Sequence, residues 1–211
     1  MRSWPRRPFA AVLVLCKPQS VLVTAVFFFL AMTLKAFWIP VKADTAQWLL
    51  HSTWQQIRAG DISAKPWPWA DTRPAAVLRV PRFGIEQFVL EGNSARNLAF
   101  GPVMLDGNSN SLDLIVSGHR DTHFFFLREL NLGDQIQLQT LSGEKTFVVA
   151  EMEVVDSRAQ DLILEPSVSR ISLVTCYPFD QALAGGPLRY VVTAVPVFDS
   201  EINLPLQLSS G

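Results

Sequence analysis

The sequence predicts a mainly β domain, a barrel or a sandwich, that follows an N-terminal transmembrane helix. Beyond residue 75, short apolar runs recur at regular spacing between turn residues, with few helical segments. Before residue 40, one apolar stretch of about 20 residues is long enough to cross a hydrocarbon core of about 30 Å. The 211 residues, 49% of them hydrophobic, fit one domain with a sizeable core plus appendages.

Residues 1–19 are predicted to be a basic cytoplasmic segment and residues 20–39 a transmembrane signal anchor. Arginine and lysine residues, with no acidic residue among them, precede the apolar run QSVLVTAVFFFLAMTLKAFWIP. Because cytoplasmic flanks carry the excess of basic residues, the rest of the chain is expected to be exported. Lys35 lies near the C-terminal end of this apolar run, where its side chain can reach the membrane–water interface. The stretch Val41-Lys42-Ala43 also resembles a cleavage site, so the first alternative to an anchor is a cleaved signal peptide. The second alternative is a buried core helix.

Residues 40–74 are predicted to be a linker, helical at first and then rich in proline and tryptophan. Residues 43–60 form a helix that stops at Gly60. Its expected amphipathic face consists of Trp48, Leu49, Ser52, Gln55, Gln56 and Ile57. The following KPWPWADTRP is expected to be extended, because proline fixes φ and restricts the preceding residue. We interpret its tryptophans as a cover for an edge of the next domain; an aromatic ligand site is the alternative.

The β domain is predicted to span residues 75–198, followed by a tail over residues 199–211. VLRVPRFGIEQFVLEG predicts a hairpin around Phe83-Gly84, and NLGDQIQLQTLSGEKTFVVAEMEVVD predicts a second around Ser142-Gly143. Between them, NSARNLAFGPVML suggests a short helix and a loop, LDLIVSG a buried strand, and HRDTHFFFLREL a loop leading into a half-helical stretch. DLILEP is a connector or a strand. RISLVTCYP and LRYVVTAVPVF are strands on either side of a loop.

Cys176 is an unpaired thiol in a domain that is predicted to be exported. Exported cysteines usually form disulfides, but Cys16 precedes or begins the membrane segment and cannot reach Cys176. An isolated cysteine is ordinarily a small buried hydrophobe. The alternative is a nucleophile, which needs a base or a nearby cation to form a thiolate near neutral pH.

Two histidines and one arginine are candidates to assist that thiol. His119 and His123 follow the strand LDLIVSG, and His119 comes directly after Ser117-Gly118, where it can point into a cleft. Arg189 begins the apolar strand LRYVVTA. Each residue alone has an ordinary structural interpretation. On a strand next to Cys176, however, Arg189 could supply fixed positive charge to an oxyanion.

These motifs resemble the sortases, the membrane-anchored cysteine transpeptidases. SGHRDTHF at 117–124 looks like the family's histidine motif, LVTC at 173–176 like its T-L-x-T-C motif, and LRY at 188–190 like its arginine segment. The segment LRELNLGDQIQLQT also resembles the family in its spacing between the strand with the histidine motif and the strand with the cysteine motif. The resemblance covers residues 66–197. The PWPWADTRP segment and the compact length look most like the class found in Gram-negative, often marine, proteobacteria.

The resemblance implies an eight-stranded closed sortase-type β-barrel with short helices. It implies that Cys176 is the nucleophile, His119 the general acid and base, and Arg189 the group that stabilises the substrate and the oxyanion. Thr175 is implied to shape the oxyanion site and bind substrate. His123 accompanies the motif without a catalytic role.

One residue departs from the family pattern. Ser172 stands where the cysteine motif usually begins with threonine, and it keeps the hydroxyl. No acidic cluster matches the calcium site of some sortases, so neither a metal nor a cofactor is expected.

The implied function is the cleavage of an exported partner protein at a C-terminal sorting signal and its transfer to an amine acceptor. The enzyme would sit in the inner membrane with its catalytic domain in the periplasm. The alternatives are a cysteine endopeptidase that uses water at the same site, and a non-catalytic β-barrel that binds a peptide. The net charge of −1 gives no electrostatic case for a nucleic-acid partner.

Overall fold

The structure is a computed structural model that describes residues 18–92, 94–105, 111–159, 163–181 and 185–197. The predicted tail at 199–211, most of the predicted segment 1–19, and Cys16 lie outside the described residues. The chain divides into two compact units, Met1–Val41 and Lys42–Gly211.

Helix α1 runs over Pro18–Arg58, so its first part belongs to the first unit. Several apolar side chains described there are largely exposed, among them Leu22, Phe27 and Phe29. Over the described residues, no helix combines the length and the hydropathy needed to span a membrane. The transmembrane anchor at 20–39 therefore stays a prediction from the sequence.

The second part of α1 buries a face different from the predicted one. Its buried residues recur at helical spacing and are Ala46, Leu50, Thr53, Trp54 and Ile57. Of the predicted face only Ile57 is among them, and Trp48 is 69% exposed. Successive helical residues are about 100° apart, so Trp48 lies on the side opposite Ala46 and Leu50. The predicted stop is confirmed: α1 ends at Arg58, and Gly60 has a φ of 104°.

Eight strands form a closed barrel, which confirms the barrel part of the predicted fold. Around the barrel the order is β1-β2-β3-β4-β7-β8-β6-β5, and pairing of β1 with β5 closes it. The strands are β1 (Pro74–Val80), β2 (Ile85–Glu91), β3 (Val103–Met104), β4 (Asp113–Ser117), β5 (Gln135–Thr140), β6 (Gly143–Asp156), β7 (Arg170–Cys176) and β8 (Leu188–Pro196). Short 3-10 helices cover Pro81–Phe83, Asn97–Ala99 and Phe125–Glu129.

The two predicted hairpins are present, with one small correction. Gly84, at a φ of 62°, turns the chain between β1 and β2 as expected. Between β5 and β6, Thr140 pairs with Gly143, so the turn residues are Leu141 and Ser142, one position earlier than predicted. Residues 163–166, the described part of DLILEP, contain no strand, which favours a connector there.

Strand alternation sorts the apolar residues into an inner core and an outer cluster. Leu114, Val116, Ile171, Leu173, Val192 and Ala194 belong to the inner core. The intervening positions Ile115, Val174 and Val191 form an outer cluster with Val155. Because successive residues of a strand point to opposite faces, this assignment fixes the direction of the side chains at the ends of β4, β7 and β8, which pair without a register shift.

Candidate active site

Strand β7 brings Cys176 to the outer face of the barrel. Leu173 points inward, whereas Val174 belongs to the outer cluster. Cys176 is two residues beyond Val174 and therefore shares its face. It is a free thiol and is partly exposed. A nucleophile placed here is open to a peptide that lies on the outside of the barrel.

Strand β8 places Arg189 directly opposite Cys176. The two residues are register partners in the antiparallel pair. The Tyr177 N–H donates to the Leu188 carbonyl at 3.0 Å, the pattern that flanks a non-hydrogen-bonded pair. In such a pair the Cα atoms lie about 4.5 Å apart and the facing side chains are closest. Arg189 Nη1 donates to the carbonyls of Gly186 at 2.7 Å and Leu188 at 2.9 Å.

Strand β4 lies parallel to β7, so His119, which follows β4, lies at the same end of the barrel as Cys176. Ser117 is the register partner of Val174, and the Gly118 N–H donates to the Val174 carbonyl at 3.1 Å. His119 follows at once and is exposed. Three adjacent strands, β4, β7 and β8, thus carry His119, Cys176 and Arg189 to one end of the barrel. Their catalytic roles stay predictions.

Two small residues fix the backbone before His119. The Thr175 hydroxyl, which is 2% exposed, donates to the Gly118 carbonyl at 2.8 Å. A Cβ on Gly118 would lie 2.6 Å from Cγ of Phe124, so only glycine fits there. The assignment of Thr175 to substrate binding stays a prediction; its hydroxyl joins β7 to the residue before His119. Ser172 is buried within β7.

His123 is buried and is not equivalent to His119. Burial, and to a lesser extent the positive charge of His119, lower the pKa of His123 from 6.5 to about 4. Its carbonyl accepts a hydrogen bond from Gln87 Nε2 at 3.0 Å. His123 is therefore neutral and buried near pH 7.

Sequence reasoning missed Arg120, the neighbour of His119. Its side chain is only 5% exposed and forms an ion pair with Asp121 at 2.6 Å. It also donates to two carbonyls of the loop after Cys176, those of Pro178 and Gln181. The hydrogen bond with Asp121 is the main cause that raises the pKa of Arg120, and the charges of Cys176 and Asp180 add to it. The available signal was a charged residue inside the quoted SGHRDTHF motif.

Sequence reasoning also missed a group of three aromatic rings beside the thiol and the arginine. Tyr177 stacks on Tyr190 with ring centroids 6.1 Å apart, and Phe179 meets Tyr190 edge-on at 5.3 Å. Phe179 and Tyr190 also pack on the inner core of the barrel. Burial raises the pKa of Tyr190, so its phenol stays protonated near neutral pH. The rings hold the residues next to Cys176 and Arg189 against the barrel.

The outer apolar cluster adjoins the site. Val174 precedes Cys176 by two residues on β7, and Val191 follows Arg189 by two on β8. Leu105 and Leu164, which come from loops, pack against this cluster. Within the described part of the chain, no three His, Cys, Asp or Glu residues are grouped so that they could hold a metal ion. Val174 and Val191 are themselves buried, at 5% and 1% exposure, with the partly buried Leu105 and Leu164 packed against the cluster.

Comparisons with known proteins agree with this geometry. A family model described as Sortase domain matches residues 78–197. Sortase D of Bacillus subtilis (strain 168) is 30% identical over 122 residues, which are 56% of this chain and 61% of that relative. The chain thus spans about six tenths of the length of this curated relative.

Solved structures share the fold. The sortase C1 structure from Streptococcus agalactiae has a TM-score of 0.52 at 18% identity and covers 60% of this chain and 69% of its own. The sortase D5 transpeptidase of Clostridium perfringens has a TM-score of 0.51 at 21% identity, with coverages of 60% and 80%. At these identities the likeness concerns the fold alone.

Proposed function

The chain belongs to the sortase family, and on that premise we propose that it is a cysteine transpeptidase acting on exported proteins. In this proposal it cleaves a partner at a C-terminal sorting signal and transfers the partner to an amine. The observation that carries the proposal is the register pair of Cys176 and Arg189, with His119 at the end of the parallel neighbour β4. In this proposal Cys176 is the nucleophile, His119 the acid–base group and Arg189 the fixed cation, all carried to one end of the barrel.

The first half-reaction forms a thioester. The Cys176 thiolate attacks a peptide carbonyl carbon, an S–C bond forms, and the carbonyl electrons move onto oxygen. Arg189 lies opposite Cys176 and stabilises that oxyanion. When the oxyanion collapses, the C–N bond breaks and protonated His119 donates its proton to the departing amine.

The second half-reaction transfers the acyl group. An incoming amine attacks the thioester carbon while neutral His119 accepts its proton. Collapse of the second oxyanion breaks the C–S bond and regenerates the Cys176 thiolate. The new amide leaves, and His119 is again protonated. Water in place of the amine would give hydrolysis by the same steps.

The loop residues that pack on the outer apolar cluster are proposed to contact the sorting signal. Leu105 and Leu164 are only partly buried, and they offer apolar contacts to alternate side chains of an extended peptide. Such a peptide would present one of its carbonyls to Cys176 at the end of β7.

The proposed location is the inner membrane, with the barrel outside the cytoplasm. This proposal rests on the apolar residues 20–39 and on the basic residues that precede them. Carbonate extraction of the full chain tests it: an anchored chain stays with the membranes. A soluble product whose N-terminus begins just after residue 43 would indicate a cleaved signal peptide instead. The finer assignment to the class of Gram-negative marine proteobacteria stays a prediction.

Trapping the acyl-enzyme tests the proposed chemistry. The full chain in detergent is incubated with C-terminal peptides of candidate exported proteins, and its intact mass is measured. We expect an adduct that hydroxylamine releases, that is lost in Cys176→Ala, and that is strongly reduced in His119→Ala. The matched control is His51→Ala, which changes an exposed histidine on α1.

Product analysis then separates the alternatives. With added triglycine, a transpeptidase yields the peptide–triglycine amide, whereas an endopeptidase yields the free acid whether or not the amine is present. Binding without any adduct or cleavage across authentic partner peptides would contradict the proposal and would favour a peptide-binding barrel.

A further inference from the structure

We propose that Arg120 is a positioning residue that ties the segment carrying His119 to the loop that follows Cys176. The catalytic part of this inference rests on the proposed function, whereas its structural part does not. Arg120 takes no part in the chemistry described above.

One side chain joins two distant parts of the chain. Arg120 Nη1 donates to the Pro178 carbonyl at 2.6 Å, and Nη2 donates to the Gln181 carbonyl at 2.8 Å. These acceptors are 58 and 61 residues away in sequence. Because Arg120 directly follows His119, and Pro178 comes two residues after Cys176, the guanidinium links the backbones that carry base and nucleophile.

The loop held by Arg120 also leads to Arg189. It leaves β7 after Cys176 and enters β8 at Leu188. At its far end, Arg189 Nη1 donates to the Gly186 carbonyl at 2.7 Å. Two arginines therefore hold the two ends of one loop. A displacement at Pro178 would reach Cys176 within two residues, and the Cys176–Arg189 pair with it.

The planar guanidinium of Arg120 can pair with Asp121 and bind two loop carbonyls at the same time. Asp121, itself 61% exposed, accepts from Nε at 2.6 Å and from Nη2 at 2.9 Å. This bidentate pair sets the plane of the guanidinium, and the remaining N–H groups then point at the two loop carbonyls. A lysine ammonium is a point charge on a flexible stem and cannot reproduce this fork. Lysine keeps the charge and loses the geometry, which makes Arg120→Lys the informative variant.

The donors of Arg120 are occupied by protein acceptors, in contrast to a substrate-binding arginine. Its N–H groups donate to Asp121, Pro178 and Gln181. Arg189, by comparison, lies in register with Cys176 and donates from Nη1 alone, to the carbonyls of Gly186 and Leu188, so its Nε and Nη2 have no hydrogen-bond partner among the described residues. The structure therefore assigns positioning to Arg120 and leaves the oxyanion to Arg189.

The test compares Arg120→Lys with the matched control Arg128→Lys in the full chain in detergent. Arg128 is 46% exposed and pairs with Glu129 at 3.6 Å on a 3-10 helix. Two readouts are used: kcat and KM for thioester formation, and amide hydrogen exchange over residues 177–181. A misplacement of about 1 Å can lower a rate by about 100-fold, so we expect kcat to fall at least tenfold in Arg120→Lys with KM within about twofold. We expect exchange over residues 177–181 to accelerate by about tenfold as the loop opens locally.

A merely structural role would give a different result. It would lower the melting temperature while kcat and loop exchange stay at wild-type values in the folded protein, and that outcome would overturn the proposal. Equal effects in Arg128→Lys would overturn it as well, since they would show no dependence on the Pro178 and Gln181 contacts.

A second variant covers the case in which Arg120→Lys does not fold. Asp121→Asn keeps Arg120 but removes the carboxylate that orients it, and Asp121 is exposed. A reduced kcat together with faster exchange over residues 177–181 supports the proposal, and unchanged values overturn it. If the wild-type chain forms no thioester with any peptide, the proposed function fails. The exchange measurement still decides whether Arg120 holds the loop.

Discussion

The pH dependence of stability should report the buried state of His123. The pKa of this residue falls from 6.5 to about 4 on folding, mainly through burial. Between these two values the unfolded chain binds a proton at His123 that the folded chain does not. The folded state therefore loses stability as the pH falls from about 6.5 to about 4, and this contribution is fully present above that range.

The magnitude follows from the two pKa values. The full difference corresponds to roughly 3 kcal/mol at 1.36 kcal/mol per pH unit. Between pH 7 and pH 5, where carboxylates still titrate little, the loss amounts to roughly 2 kcal/mol. In His123→Gln the side chain does not titrate, so this part of the pH dependence should disappear whatever the absolute stability of the variant.

Urea unfolding of the full chain in detergent at pH 7 and pH 5, followed by tryptophan fluorescence, measures both free energies. The control His51→Gln changes an exposed histidine on α1 and should keep the wild-type difference. If the wild type and His123→Gln lose the same free energy between the two pH values, the burial argument for His123 is refuted.

Two further predictions concern strand β4: the buried ion pair at its first residue, Asp113, and the glycine that follows its last residue. Asp113 is 2% exposed and accepts from Arg170 Nη2 at 2.9 Å and from the Glu165 N–H at 2.8 Å, so Asp113→Ala should lower the free energy of unfolding by about 3 kcal/mol in urea titrations. The exposed control Glu129→Ala should cost less than about 1 kcal/mol, and a similar loss in both would contradict the reasoning. Gly118→Ala places a Cβ 2.6 Å from Phe124 and should lower the free energy of unfolding by about 1–3 kcal/mol. A loss close to zero would refute the conclusion that only glycine fits there.

The strands were predictable because their signals are local. Alternation with a period of two and turn residues such as Gly84 sit within each hairpin, and both hairpins form, the second with its turn one position earlier than predicted. The two-residue strand β3 has no such signal, since its pairing with β2 and β4 is what makes it a strand. Closure of the barrel likewise depends on the pairing of β1 with β5, which the family resemblance supplied.

The buried face of α1 could not be inferred from apolar residues alone. Trp48 and Leu49 favoured one side, but the barrel surface formed by Val77, Phe88 and neighbours accepts Leu50 and Trp54. A tertiary partner therefore decided the orientation of the helix. Gln47 supports the same choice, because its side chain bonds the backbone of Phe88 and of Phe100.

The sequence predicted the candidate catalytic groups, but it did not predict the residues that hold those groups in place. Cys176, His119 and Arg189 stand out as residue types at strand ends, and the structure brings them to one edge. The role of Arg120 depends on backbone carbonyls at Pro178 and Gln181, and carbonyls leave no trace in a sequence. The contact between Arg120 and the loop after Cys176 could therefore be recognised only in the structure.

Because strand alternation places Cys176 on the outside of the barrel, the accessibility of its thiol depends on the register of β7 against β8. A one-residue slip of β7 against β8 would exchange the positions of Cys176 and Thr175, and would move the thiol into the barrel interior. In a chain with Cys16 replaced by serine, a bulky water-soluble maleimide would label unfolded chains and native barrels, but not compact barrels whose β7 has slipped. Labelling of refolded chains after the unfolded ones are removed would therefore report the fraction of barrels with the native β7–β8 register, before any peptide substrate is known.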